Sequence, residues 1–298
     1  MAAKSFRQRL RQQPAIVLLD GATGSELHRR GVDTRLPLWS ARGLLDAPET
    51  VARIHAEYVK AGAEIVTANT FRATRRAVAR AGLKPQAKLL VSKAVELARK
   101  SKARFVAGSI APLEDCYSPQ LVPPFEECER EHGEHAEHLA EAGVDLLLIE
   151  TMNTIGEAHA AARVACRTGL PVIVSFVCRS DGRLLSGERL RTAALRLLEL
   201  EITGLAVNCT PTASLHEPLG ELLAAAGGRV PCGAYGNLGK TDSVHGWTCT
   251  EELDPAGYAL RAEKWIELGA RIVGGCCGTT PAHIAALRKL VDRRVAQT

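Results

Sequence analysis

Cys276 and Cys277 stand side by side in the run Gly274-Gly275-Cys276-Cys277-Gly278, and a third cysteine, Cys209, lies far upstream behind Asn208. Three thiolates fill three corners of a tetrahedral Zn2+ site and leave the fourth open, the pattern of catalytic rather than structural zinc. Adjacent side chains on a strand point to opposite faces. Both sulfurs can therefore meet one metal only if the backbone turns, which Gly274, Gly275 and Gly278 permit. The competing reading makes these cysteines small core hydrophobes, the ordinary fate of isolated cysteines and the one expected for Cys166 and Cys178. A vicinal disulfide between Cys276 and Cys277 in a redox protein is a further rival. The count of nine cysteines is odd, and no apolar leader segment precedes the first strand-like run, so reduced thiols in a cytoplasmic protein are expected.

Other polar residues also stand directly behind apolar runs: Asp20, Asn69 with Thr70, Glu150, and Asn208 itself. Paired acids such as Asp20 and Glu150 suit a cation, and the glycine-rich turn at Gly21-Ala22 presents backbone amides to an anion. Asp20 could instead cap a helix, and Glu150 could form a surface ion pair. Asn208 either orients Cys209 or the substrate, or stabilises a turn. Thr70 and Phe71 either line a pocket or pack in the core.

The elements that must carry these residues are short, β-branched apolar runs at 16–19, 64–68, 104–107, 145–149, 172–177, 204–207, 230–235 and 271–273, separated by longer amphipathic stretches. Continuous apolar runs are what parallel strands buried on both faces require. The stretches between them carry helix signals, as where Pro48 and Glu49 open a helix that runs towards Gly62. Eight such units in 298 residues predict an α/β fold, one (β/α)8 TIM barrel spanning 1–298 with 1–13 as an N-terminal extension. A doubly wound open sheet is the competitor. In a barrel the loops after the strands form the active face, so every polar residue named above converges on one mouth. The long irregular stretch 109–125, with Pro112, Pro119, Pro123 and Pro124, is a loop after the third strand and a candidate lid.

The formal charge of +5 comes from basic residues scattered along helices, which argues against nucleic acid as a partner. No apolar run reaches the roughly 20 residues of a membrane span. The basic start of the chain is expected to be a solvated helix or a frayed end. His132, His135 and His138 sit among Glu129, Glu131, Glu134 and Glu137, and are expected on a solvated helix without function.

The segments DGATGSEL at 20–27, ANTF at 68–71, ETM at 150–152, VNCT at 207–210 and GGCCGTTP at 274–281 together resemble the homocysteine S-methyltransferase family. That family includes betaine- and S-methylmethionine-dependent enzymes and the homocysteine module of cobalamin-dependent methionine synthase. The resemblance implies a zinc-dependent enzyme that methylates the thiol of L-homocysteine to give methionine, with Cys209, Cys276 and Cys277 as ligands. It further implies that Asp20 and Glu150 bind the substrate amino group and that the Gly21 and Ala22 amides receive its carboxylate. LWSA at 38–41, followed by GLLDAPE, resembles the S-methylmethionine-dependent branch. A sulfonium donor such as S-methylmethionine or S-adenosylmethionine is therefore expected, with the π-face of Trp39 towards the cation; Trp39 pinning its loop to the barrel is the alternative. Betaine, a separate corrinoid partner protein, or a non-catalytic thiol-binding barrel remain the other readings.

Overall fold

The computed structural model describes residues 2–12, 16–242, 246–249 and 253–296. Its strands are β1 (Val17–Leu18), β2 (Ile65–Ala68), β3 (Phe105–Ile110), β4 (Leu146–Met152), β5 (Val172–Phe176), β6 (Gly204–Pro211), β7 (Cys232–Asn237), β8 (Gly239–Asp242), β9 (Gly246–Cys249) and β10 (Ile272–Val273). Eight of them form one parallel sheet in the order β1-β10-β7-β6-β5-β4-β3-β2, and a parallel bridge from Leu19 to Ile65 returns the last strand to the first. The architecture is the (β/α)8 barrel, and the open-sheet alternative falls. All eight sequence-predicted runs coincide with barrel strands. The antiparallel β8–β9 hairpin that follows β7 was not foreseen.

Period-two alternation sorts the strand side chains into two sets. Leu146 and Leu148 belong to the barrel interior with Leu19, Ile65, Phe105, Ala107, Ile173, Ala206 and Ile272, whereas Leu147 and Ile149 join the larger core shared with the outer helices. Those helices form where the sequence signals placed them, for example Pro48–Lys60 with its proline in the first turn.

Two expectations need correction. The start of the chain does form a helix, Ala2–Arg11, but this helix is not solvated. Phe6 is fully buried and Leu10 nearly so, both within the interior cluster, and the Phe6 ring meets Phe105 edge-on with centroids 5.1 Å apart. Arg9 ties the helix down through a two-pronged pair with Glu64 at 2.8 and 2.9 Å. The apolar spacing Phe6–Leu10 (i, i+4) overrides the basic composition, because one buried stripe suffices to dock a helix. The helix Phe125–Glu141 likewise turns His132 and His135 inward. His132 pairs with Glu157 at 3.1 Å and His135 reaches the Ser109 carbonyl at 3.2 Å; only the glutamate-rich face meets water.

The stretch after β3 runs over the barrel mouth and is tied down along its length. Leu113 N donates to Glu157 Oε1 at 2.7 Å, Asn153 Nδ2 donates to the Cys116 carbonyl at 2.9 Å, and the Glu114 carboxylate is gripped by Arg76 at 2.6 Å and Arg80 at 2.5 Å.

Candidate active site

Both β4 and β6 break register at their C-terminal ends, between Ile149 and Met152 and between Asn208 and Pro211. Within these irregularities Thr151 (φ 61°) and Cys209 (φ 51°) adopt left-handed conformations, which cost a non-glycine residue on the order of 1 kcal/mol or more. Such irregularities re-aim side chains, and here Glu150 and Cys209 both face the mouth. One residue braces both strand ends. Asn208, fully buried, accepts from Thr151 N at 2.9 Å and Ser175 Oγ at 2.7 Å, and donates to Thr151 Oγ1 at 2.8 Å. Asn237 Nδ2 donates to the Cys209 carbonyl at 2.6 Å, fixing the strained residue from the other side.

The turn after β10 is pinned to the end of β7, with Cys276 N donating to Gly236 O at 3.0 Å and Leu238 N to Cys277 O at 2.9 Å. Of the three glycines predicted to permit this turn, Gly278 uses a positive φ of 86°. Gly274 and Gly275 are required by close approach instead: a Cβ at either would collide with Leu19 or Thr279. The result brings the three sulfurs within 4.8 Å of one another, with Cys209 Sγ 2.9 Å from Cys276 Sγ and 3.7 Å from Cys277 Sγ. These distances exceed the about 2.05 Å of a disulfide, and all three thiols are free. The Cys276 thiol, followed by that of Cys277, holds the Cys209 sulfur well below the ordinary thiol range, and the Tyr117 hydroxyl donates to the same sulfur at 3.3 Å. The other two thiols are pushed up in consequence. Three sulfurs so gathered can take a soft cation.

Two carboxyls share this mouth. Asp20, 3% exposed, accepts from Thr67 N at 2.8 Å and Thr67 Oγ1 at 2.9 Å. Burial nonetheless pushes it up to about 8, with Glu150 adding to the rise. Glu150 takes a hydrogen bond from Ser109 Oγ at 2.5 Å, and burial raises it to about 7. Neither acid, each raised towards neutral pH by desolvation, is paired with a cationic side chain among the described residues.

Asp20, Gly21, Ala22, Trp39, Glu150, Cys209, Cys276 and Cys277 all line one cavity of about 550 Å3, within the about 300–1,000 Å3 typical of small-ligand sites. Phe71 lines it too, its ring edge-on to Trp39 at 5.5 Å. The Trp39 indole lies against Gly24, where a Cβ would come within 2.5 Å of the ring. Thr70 is not brought to the cavity: it is fully buried and its hydroxyl donates to the Ser109 carbonyl at 2.9 Å. Asn208 does not line the cavity either, and acts on it through the strand ends. Sequence reasoning missed Thr67, Ser109, Tyr117 and Tyr235. Only Thr67 carried a signal, since it sits two residues before Asn69 and so on the same face of β2. The Tyr235 hydroxyl is buried without a hydrogen-bond partner among the described residues, and Tyr235 belongs to the cavity wall.

A thiol triad and two desolvated acids at the catalytic end of a (β/α)8 barrel are the equipment of a barrel enzyme, and comparison with known proteins gives its class as a methyltransferase. The model of the homocysteine S-methyltransferase family matches residues 17–291. The homocysteine S-methyltransferase of Escherichia coli (strain K12) is 33% identical, over 92% of this chain and 94% of that protein. The crystal structure of the metallated form of the homocysteine methyltransferase MmuM from Escherichia coli superposes with a TM-score of 0.82 at 30% identity, covering 97% of this chain and 99% of that one. A selenocysteine methyltransferase of Astragalus bisulcatus is 26% identical over 95% of this chain and 94% of its own. The chain belongs to the homocysteine S-methyltransferase family. Among the described residues no helix is long and apolar enough to cross a membrane.

Proposed function

We propose that this enzyme transfers a methyl group from a sulfonium donor, S-methylmethionine or S-adenosylmethionine, to the thiol of L-homocysteine, with Zn2+ held by Cys209, Cys276 and Cys277, in a reducing, cytoplasmic setting. The observation that carries the reading is the gathering of three sulfurs within 4.8 Å on the wall of a cavity that also holds two raised carboxyls. The donor set fits zinc. Tetrahedral metal–sulfur bonds of about 2.3 Å place two sulfurs about 3.8 Å apart; Cys209 and Cys277 already stand 3.7 Å apart, and Cys276, 2.9 Å from Cys209, has to swing outward by about 0.9 Å. When bound, zinc supplies the Lewis acidity that removes a thiol proton at neutral pH, making the sulfur a nucleophile.

The chain's own residues do the rest. Asp20 and Glu150 take the substrate ammonium and release their protons in doing so. The amides of Gly21 and Ala22, at the start of the helix Thr23–Arg29, receive the carboxylate. Trp39 and Phe71 offer aromatic faces to the donor cation. The loop that carries Tyr117 covers the sulfurs and limits water. As the new S–CH3 bond forms on homocysteine, the donor's S–CH3 bond breaks, its electron pair returning to a sulfur that leaves as a neutral thioether.

The test is methionine formation by reduced, zinc-loaded protein given homocysteine and, separately, S-methylmethionine, S-adenosylmethionine or betaine. Product with a sulfonium alone supports the reading. Product with betaine alone overturns the donor assignment, and zinc and homocysteine binding without product from any of them points to a corrinoid partner protein or a thiol-binding role.

A further inference from the structure

The cavity carries more charge than one amino-acid substrate uses. Besides Asp20 and Glu150, it is lined by Arg72, on the loop after β2, and Asp115, on the loop after β3. Neither has an oppositely charged partner within 4.0 Å among the described residues. Backbone and loop groups hold each in place. Arg72 Nη1 donates to the Glu114 carbonyl at 3.0 Å, and its guanidinium lies 5.6 Å from the Phe71 ring centroid. Asp115 accepts from Tyr117 N at 3.2 Å and from Ser118 Oγ at 2.6 Å. The Glu114 anchor is itself rigid, its carboxylate clamped by Arg76 and Arg80. A half-buried guanidinium and an exposed carboxylate at the rim of one cleft, with no ion pair between them, match a ligand that carries both charges at one end. A planar guanidinium is suited to a carboxylate, and an aspartate to an ammonium.

We infer that Arg72 binds the carboxylate and Asp115 the ammonium of the methyl donor, so that the donor must carry a free α-amino-acid end. The inference rests on the sulfonium-transfer reading above and deepens it. The cavity then holds two amino-acid ends: homocysteine's at Asp20, Glu150 and the Gly21–Ala22 amides, and the donor's at Arg72 and Asp115. The donor sulfonium lies between them, beside Trp39 and Phe71. Donors without an N–H-bearing α-ammonium, such as betaine, whose quaternary nitrogen carries only carbon, offer Asp115 no hydrogen bond.

The test compares wild-type, Arg72→Met, Arg72→Lys and Asp115→Asn enzymes, zinc-loaded, with S-methylmethionine and with its methyl ester, which lacks the carboxylate charge. Loss of a hydrogen bond to a charged group is worth on the order of tenfold to a hundredfold. Wild type is expected to prefer the free acid by that factor in kcat/KM. Arg72→Met is expected to erase the preference through the donor KM while leaving the homocysteine KM unchanged, and Arg72→Lys to restore part of it. Asp115→Asn is expected to raise the donor KM with the acid-over-ester preference intact. A preference for the acid that survives Arg72→Met overturns the inference, as does a rise confined to the homocysteine KM. If wild type forms no methionine, calorimetric titration of S-methylmethionine separates the two ideas. Binding weakened by Arg72→Met sinks the catalytic reading alone, and equal binding in both proteins sinks this one.

Discussion

Replacing Asp20 by Asn is expected to stabilise the ligand-free protein while disabling it, and the size of the effect follows from burial. The Asp20 carboxyl is raised from 3.8 to about 8, mainly by desolvation. A folded-state value above the unfolded one means that its contribution to stability is fully present below about pH 4 and is lost as pH rises through 8. At about 1.4 kcal/mol per unit, the gap of about 4 units is worth on the order of 6 kcal/mol. Asp20→Asn removes that pH-dependent loss, but its amide cannot accept both Thr67 hydrogen bonds, at a cost of about 1 kcal/mol. The two terms leave near parity at about pH 5 and a gain of about 4 kcal/mol at about pH 8. With an unfolding entropy of about 2 cal/mol/K per residue, such a gain raises the Tm of a chain this long by about 6 °C. Scanning calorimetry of both proteins, ligand-free and at matched metal content, from pH 5 to 8 measures this directly. A Tm difference that is flat with pH, or a wild type more stable at pH 8, would refute the argument that Asp20 is a desolvated acid awaiting a cation. Homocysteine titrations of the same samples should show wild-type binding weakening as pH falls below about 7, because the ammonium must displace protons from Asp20 and Glu150. The variant should bind on the order of a hundredfold more weakly.

Cys277→Ser should cut bound zinc well below one ion per chain, read by atomic absorption, and abolish methionine formation; stoichiometric zinc with full activity would remove this residue from the ligand set. Asn208→Ala strips partners from Thr151 N, Thr151 Oγ1 and Ser175 Oγ in the core, so denaturant unfolding should report a loss of about 2–4 kcal/mol. A near-neutral result would mean that the strand ends are braced by something else. Phe6→Ala should cost about 3–5 kcal/mol with both substrate KM values unchanged; an unaltered Tm would show that the N-terminal helix contributes no packing.

The barrel was legible because parallel strands buried on both faces leave continuous apolar runs, and each of the eight, that at 230–235 included, marked a strand. The site was legible where strand ends supply the chemistry: Asp20, Glu150, Cys209, Cys276 and Cys277 each follow such a run. Tyr117 and Ser109 were not, because a loop side chain finds its partner through a path the local pattern does not encode. Thr70 sat in a recognisable segment yet serves the backbone of β3, since residues at a strand end alternate between the mouth and the core. The N-terminal helix and the histidine-bearing helix were misjudged for a shared reason: composition averages over all faces of a helix, while docking depends on one. The hairpin β8–β9 left no mark because it pairs only with itself, outside the eight-stranded sheet whose buried strands leave apolar runs.

The bracing by Asn208 has a further consequence for the acceptor. By joining the ends of β4 and β6 through one rigid side chain, it fixes the span between Glu150 and Cys209, and hence, on the proposed reading, between the points that receive nitrogen and sulfur. Such a span works as a ruler. An amino acid one methylene shorter than homocysteine can satisfy either end but not both, so selection among biological thiols would rest on length rather than on any group that recognises the intervening carbons.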